Sequence, residues 1–180
     1  AGFGGQGVRF AGQLLAYTAL AEGKHVTWIP SYGPEMRGGT ANCTVVISDQ
    51  PIGSPVCRNP SMAAVFNNPS LDKYEPLVKP GGLLVINASL IVSPITRDDL
   101  EIVSVPATAL ATELGDVKVA NMILLGALLA RRPLVAPATV DAVLGEKLGP
   151  RKAHMRALNV RALEQGMALG QRTPNLSAAD

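Results

Sequence analysis

Residues 2–7, Gly-Phe-Gly-Gly-Gln-Gly, run without a break into residues 8–21, which are apolar over most of their surface. Few arrangements constrain a chain more. A cluster of glycines directly ahead of a helix makes a tight turn in which backbone N–H groups can approach an anion, helped by the helix dipole. Val8, Ala11, Leu14, Leu15, Thr18 and Ala19 share one helical face, and Gly23 offers a C-terminal stop. Gly2, Gly4 and Gly7 fit the spacing G-x-G-x-x-G, with Gly5 and Gln6 inside the turn. Two readings stand at this point: an anion- or cofactor-binding turn, and a turn that needs glycine only for close packing. Such a turn normally follows a strand, and none is readable ahead of Ala1. Either the chain is trimmed or the fold begins without that strand, and trimming is the expected reading.

The remaining chain alternates short β-rich runs with helical ones. Strands are expected over residues 25–30, 42–48, 63–66, 83–87 and 101–105. The run Leu83-Leu84-Val85-Ile86-Asn87 is continuous and apolar, as in a strand of a parallel sheet buried on both faces. Asn68 is expected to cap a helix that starts at Pro69, and further helices are expected over 107–114, 117–130, 138–148 and 151–169. This pattern predicts an α/β fold, a single-domain sandwich with a largely parallel or mixed sheet flanked by helices. It is a Rossmann-like variant with a helical C-terminal third. One domain is expected over residues 1–172, followed by a flexible tail at 173–180.

Several function classes are disfavoured. The net charge is +2, from 16 Lys and Arg against 14 Asp and Glu, with no run of about five like charges to track a nucleic-acid backbone. Aromatic residues make up 4%, too few for a base-stacking surface. Cys43 and Cys57 form no CxxC or Cys/His cluster, so no metal or iron–sulfur site is expected here, and both read as small buried hydrophobes. No leader-like or membrane-length apolar stretch is readable, and the expected location is the cytoplasm, without membrane or nucleic-acid partners. His25 and His154 stand alone, and nucleophile elbow, P-loop lysine and paired carboxylates are all missing. Asp98-Asp99 reads as a helix cap or a solvated face. No catalytic residue is assigned. A dinucleotide site would want an acid ending the second strand, where Ile29-Pro30-Ser31 stands instead; Glu22 comes too early and Glu35 too late.

The segment after the strand at 25–30 concentrates unusual chemistry: Tyr32, Gly33, Pro34, Glu35, Met36, Arg37, Gly38 and Gly39. It lies beyond the carboxyl end of a strand, where open α/β sheets place ligands. A structural turn with a local ion pair and an interface or ligand loop are both compatible with it.

Taken in order, G-F-G-G-Q-G-V at 2–8, S-Y-G-P-E-M-R-G-G at 31–39, V-V-I-S-D at 45–49, I-G-S-P at 52–55 and K-P-G-G-L-L-V-I-N at 79–87 resemble the gamma subunit of 2-oxoacid:ferredoxin oxidoreductases. So do P-A-T at 106–108, Ala120-Asn121-Met122 with Leu125-Gly126-Ala127, and N-V-R-A-L-E-Q-G at 159–166. The resemblance implies a multi-subunit enzyme that converts a 2-oxoacid and coenzyme A to acyl-CoA and carbon dioxide, reducing ferredoxin. Thiamine diphosphate, Mg and iron–sulfur clusters are then expected on the alpha and beta subunits, with a delta subunit in some forms, and none on this chain. Its implied role is to shape the complex, with a place along the coenzyme A path left open. Gly2, Gly4, Gly5, Gln6 and Gly7 would form the anion- or cofactor-binding turn, the 32–39 loop an interface or ligand contact, and Asn121 a further motif contact. Independent nucleotide-binding domains, nicotinamide or flavin oxidoreductases, and the indolepyruvate:ferredoxin oxidoreductase small subunit are the alternatives.

Overall fold

The computed structural model describes residues 1–31 and 40–172. The loop at 32–39 and the tail at 173–180 fall outside the described residues, and with them the expectations placed on both.

The chain opens on a two-residue strand, β1 (Gly2–Phe3), then the helix α1 (Val8–Ala21) and the strand β2 (His25–Pro30). β3 (Thr40–Ala41) and β4 (Cys43–Ser48) follow, broken only at Asn42. β5 (Met62–Val65), α2 (Asn68–Tyr74), β6 (Leu83–Asn87) and β7 (Glu101–Val105) make the middle of the chain. Four helices complete it: α3 (Ala107–Leu114), α4 (Ala120–Arg131), α5 (Pro137–Leu148) and α6 (His154–Arg172).

The sheet is mixed. β5, β6 and β7 form a parallel ladder with β6 central, whereas β2–β4 and β1–β3 are antiparallel pairs. Ala1 joins the two systems. Its amine donates to Ala64 O (2.8 Å) and its carbonyl accepts from Phe66 N–H (2.9 Å), the pattern of a parallel strand beside β5. Ala1 thus pairs beside β5 in the parallel sense, directly ahead of Gly2.

β6 shows why its sequence is apolar throughout. Leu83 and Val85 face the main core with α1, α3 and α4, while Leu84 and Ile86 face a second cluster with Leu71, Ile91, Leu100 and Ile102. Both faces are covered, so no polar alternation is possible. α4 is buried from Ala120 to Leu129 and forms the central helix of the molecule. Against it lies α6, whose buried residues Asn159, Ala162, Leu163, Gly166 and Gly170 follow helical spacing along one stripe. A Cβ on Gly126 would meet Leu163 O, and one on Gly166 would meet Ile123 O, so only glycine lets the two backbones approach.

One local expectation is corrected and another is narrowed. The cap of α2 is Asn67, whose Oδ1 accepts from Ser70 N–H (2.9 Å). Asn68 Oδ1 instead accepts from Val92 N–H and Ser93 N–H, holding the connection that follows β6. Asp98-Asp99 starts no helix and lies exposed, the solvated-face alternative, with Asp99 paired to Arg97, whose guanidinium also donates to Glu75 O and Val78 O. The buried Glu75 carboxylate accepts from Thr96 N–H (2.6 Å) and Arg97 N–H (2.9 Å), pinning the same connection.

α1 is tied to the C-terminal helices at both ends. Lys24 Nζ donates to Leu134 O (2.8 Å) and Ala136 N–H donates to Glu22 Oε1 (2.7 Å) near its C-terminus. Asn121 Nδ2 donates to Gly7 O (3.1 Å) at its start.

Candidate functional site: the carboxyl edge of the parallel strands

β1, β5, β6 and β7 end on one side of the molecule, and Gln6, Asn67, Asn87 and Thr108 stand at those ends or within three residues of them. The glycine turn follows β1. Gly4 and Gly5 are exposed, Gln6 is half-buried, and Gly7 is the N-cap of α1 at φ 74° with no side chain available to cap the helix. The N–H groups of the first helical turn are thus presented without a side-chain partner from the cap. Gly2 belongs to β1 and is buried, so it supports the turn without lining it.

Gln6 closes the turn on itself. Its Oε1 accepts from Phe3 N–H (2.6 Å) and lies 3.4 Å from Asn67 Nδ2. One strand further on, Asn87 Nδ2 donates to Thr108 Oγ1 (2.8 Å) and to Phe66 O (3.4 Å). Asn87 Oδ1 accepts from Thr108 N–H (3.3 Å) and Ser89 N–H (3.3 Å). The edge is therefore a row of neutral amides and hydroxyls, each satisfied by its neighbours. It positions backbone without carrying charge.

Asn121 lies beneath the turn, 4% exposed, with its carboxamide against Gly7. A Cβ on Gly7 would meet that carboxamide, 3.0 Å from Cγ, so the left-handed φ and the close approach both demand glycine here. Asn121 Oδ1 is buried and finds no partner among the described residues.

Of the residues singled out in the sequence, the structure brings together Gly4, Gly5, Gln6, Gly7 and Asn121. Tyr32, Gly33, Pro34, Glu35, Arg37, Gly38 and Gly39 lie outside the described residues. The chain reaches them from Ser31, whose N–H donates to Asn42 O, and returns at Thr40, paired opposite Phe3. Asn67, Asn87 and Thr108 were not singled out. The available signal was a polar residue ending an apolar run, as Asn87 ends 83–87 and Asn67 follows 63–66.

No group of three or more His, Cys, Asp or Glu that could hold a metal occurs among the described residues. Cys43 and Cys57 are free thiols; Cys43 is half-buried, whereas Cys57 is exposed, contrary to the expectation of two buried cysteines. Burial pushes the Cys43 thiol up, and its Sγ lies 3.5 Å from Val8 O, an environment that suits packing over nucleophilic attack. His25 and His154 are exposed. Two cysteines cannot supply the four thiolates of an iron–sulfur cluster, so such a group does not fit this chain.

Residues 1–169 match the sequence profile of the pyruvate ferredoxin/flavodoxin oxidoreductase family. The chain belongs to that family. It is 32% identical over 176 residues to the 2-oxoglutarate synthase subunit KorC of Methanothermobacter marburgensis, covering 94% of this chain and 93% of that one. To the ketoisovalerate oxidoreductase subunit VorA of the same organism it is 42% identical over 130 residues, covering 72% of this chain. That match spans only 27% of VorA, so the chain corresponds to about a quarter of this relative's length. The fold matches the crystal structure of a keto/oxoacid ferredoxin oxidoreductase gamma subunit from Geobacter sulfurreducens, with TM-score 0.76, 27% identity and 96% of each chain covered. Within the family, the architecture described above is thus the gamma type.

Proposed function

We propose that the chain serves as the gamma part of a 2-oxoacid:ferredoxin oxidoreductase, holding partner subunits in register and presenting the glycine turn to them or to a substrate anion. The observation that carries this reading is the chemistry of the carboxyl edge. Gln6, Asn67, Asn87, Thr108 and Asn121 can hold backbone and orient a ligand, but none is poised to donate or take a proton at neutral pH. Such an edge needs partners that bring the reacting groups.

Thiamine diphosphate would supply the carbanion chemistry and iron–sulfur clusters the electron path, both on alpha and beta subunits and, where present, delta, with ferredoxin as acceptor. The anionic groups of coenzyme A are the substrate groups best suited to the uncapped N–H groups of α1. The cytoplasm is the compartment this reading implies. The alternatives of an independent nucleotide-binding domain and of a nicotinamide or flavin oxidoreductase are disfavoured by the lack of an acid at the end of β2, which closes on Pro30.

Pull-down of the chain from its native extract tests the reading. Co-purifying larger subunits with 2-oxoacid- and coenzyme A-dependent reduction of a viologen dye is the expected outcome, and the preferred oxoacid then names the substrate. A chain that emerges alone, inactive and tightly bound to a nucleotide overturns it.

A further inference from the structure

Positive charge is not spread evenly over this chain. Residues 147–163 hold five Lys and Arg and no Asp or Glu, while the remaining residues hold 11 Lys and Arg against 14 Asp and Glu. The net positive charge of the chain therefore resides in one segment. That segment is the end of α5, the single 3₁₀ turn after it (Pro150–Lys152) and the first half of α6. We propose that it is a docking surface for the carboxylate-rich face of a protein partner. The proposal concerns a different surface from the carboxyl edge and holds whatever anion meets the glycine turn.

Pairing gives the first ground. Arg97 is matched by Asp99, Arg132 by Glu101 and Arg156 by Asp141. Arg151, Lys152 and Arg161 are exposed and meet no carboxylate among the described residues. Lys147 Nζ instead lies 3.4 Å from the centroid of the Tyr17 ring. The helix dipole gives the second ground. α6 starts at His154 with no acidic residue in its first turn, so Arg151 and Lys152 crowd the positive end of a 19-residue helix. These charges oppose one another in the free chain, and an incoming cluster of carboxylates relieves them.

Rigidity gives the third. Arg156 fastens α6 to α5: its guanidinium donates to both carboxylate oxygens of Asp141 (2.6 and 2.8 Å), and a Cβ on Gly145 would meet it at 3.1 Å. The unpaired cations thus stand beside a fixed joint, which lowers the ordering cost of binding. A hollow of about 340 Å³ there, lined by Gly145, Glu146, Gly149, Pro150, Ala153 and Arg156, leaves room for a protruding loop of the partner.

Composition decides the class of partner. No aromatic residue occurs between 147 and 163, which removes base stacking, and no large apolar side chain there is exposed, which removes a membrane anchor. From His154 to Arg161 the patch runs about 10 Å along α6. Glu146 and Glu164 bound it in sequence. A patch of that length is too short to follow a polyphosphate backbone and suits a cluster of carboxylates.

Zero-length carbodiimide cross-linking of the full chain in its native extract, followed by peptide mapping, tests the proposal, because it joins a lysine only to a carboxylate in contact with it. Lys152 is expected to be joined to an Asp or Glu of another protein, and salt at about 0.5 M should suppress the product. With that protein purified, Arg151→Glu together with Lys152→Glu should slow association by about tenfold at physiological salt, whereas Lys152→Arg should not. The double reversal should not lower the Tm of the chain, since neither side chain has a carboxylate partner among the described residues. Cross-links confined to the chain itself, recovery of the chain with nothing joined to it, or association indifferent to the double reversal overturns the proposal. So does loss of the cross-link on nuclease treatment, which would make nucleic acid the occupant.

Discussion

The parallel half of the sheet and its antiparallel half are made from similar residues and behave as opposites. β6 is buried along its whole length, with covered faces and a partner on each side. β4 is half-buried at every position, backed by α1 on one face and paired with β2 along one edge. Hydrophobicity alone does not separate Val85 from Val45; what separates them is the number of layers that close over each. The parallel half is closed by layers on both faces, and the antiparallel half by fewer.

Substitutions should expose this difference in graded fashion. The largest effect is expected where helices touch backbone to backbone. Gly166→Leu would drive a side chain into Ile123 O, and should cost more than about 3 kcal/mol, read as loss of soluble folded chain or a much lower denaturant midpoint. Leu84→Ala, at a fully buried position of β6, should cost about 3 kcal/mol in urea titration, whereas Val46→Ala on half-buried β4 should cost less than about 1 kcal/mol. Equal costs would erase the distinction between the halves.

The smallest effect belongs to the cap: Asn67→Ala should lower stability by about 1 kcal/mol by leaving Ser70 N–H unpaired, while Asn67→Asp should retain most of it.

Much of the architecture was legible because it rests on local rules. Periodicity gave α1, β2, β6, β7 and α3 with their observed bounds, since each ends at a residue that stops it physically, such as Pro30 or Gly115. Two adjacent asparagines were harder. Both could cap α2, and what decides is that Asn68 is engaged by Val92 and Ser93, residues far along the chain. The site was half legible. Glycine at 7 announced a turn, but the reason for it is Asn121, and the amide row of Asn67, Asn87 and Thr108 exists only once three strands lie side by side. The antiparallel pairing of β2 with β4 was likewise hidden, because alternation predicts a strand without naming its neighbour.

The ties that bind α1 at Gly7, Glu22 and Lys24 reach residues 110 to 114 positions away. Their consequence lies in the order of events during synthesis. α1 is made well before its anchors at Asn121, Leu134 and Ala136, so it is among the last elements to be locked. Contacts of such separation slow folding, and until they close the glycine turn has no floor. A nascent chain halted before residue 121 should therefore carry α1 loosely, to be settled in a single late step when α4 arrives.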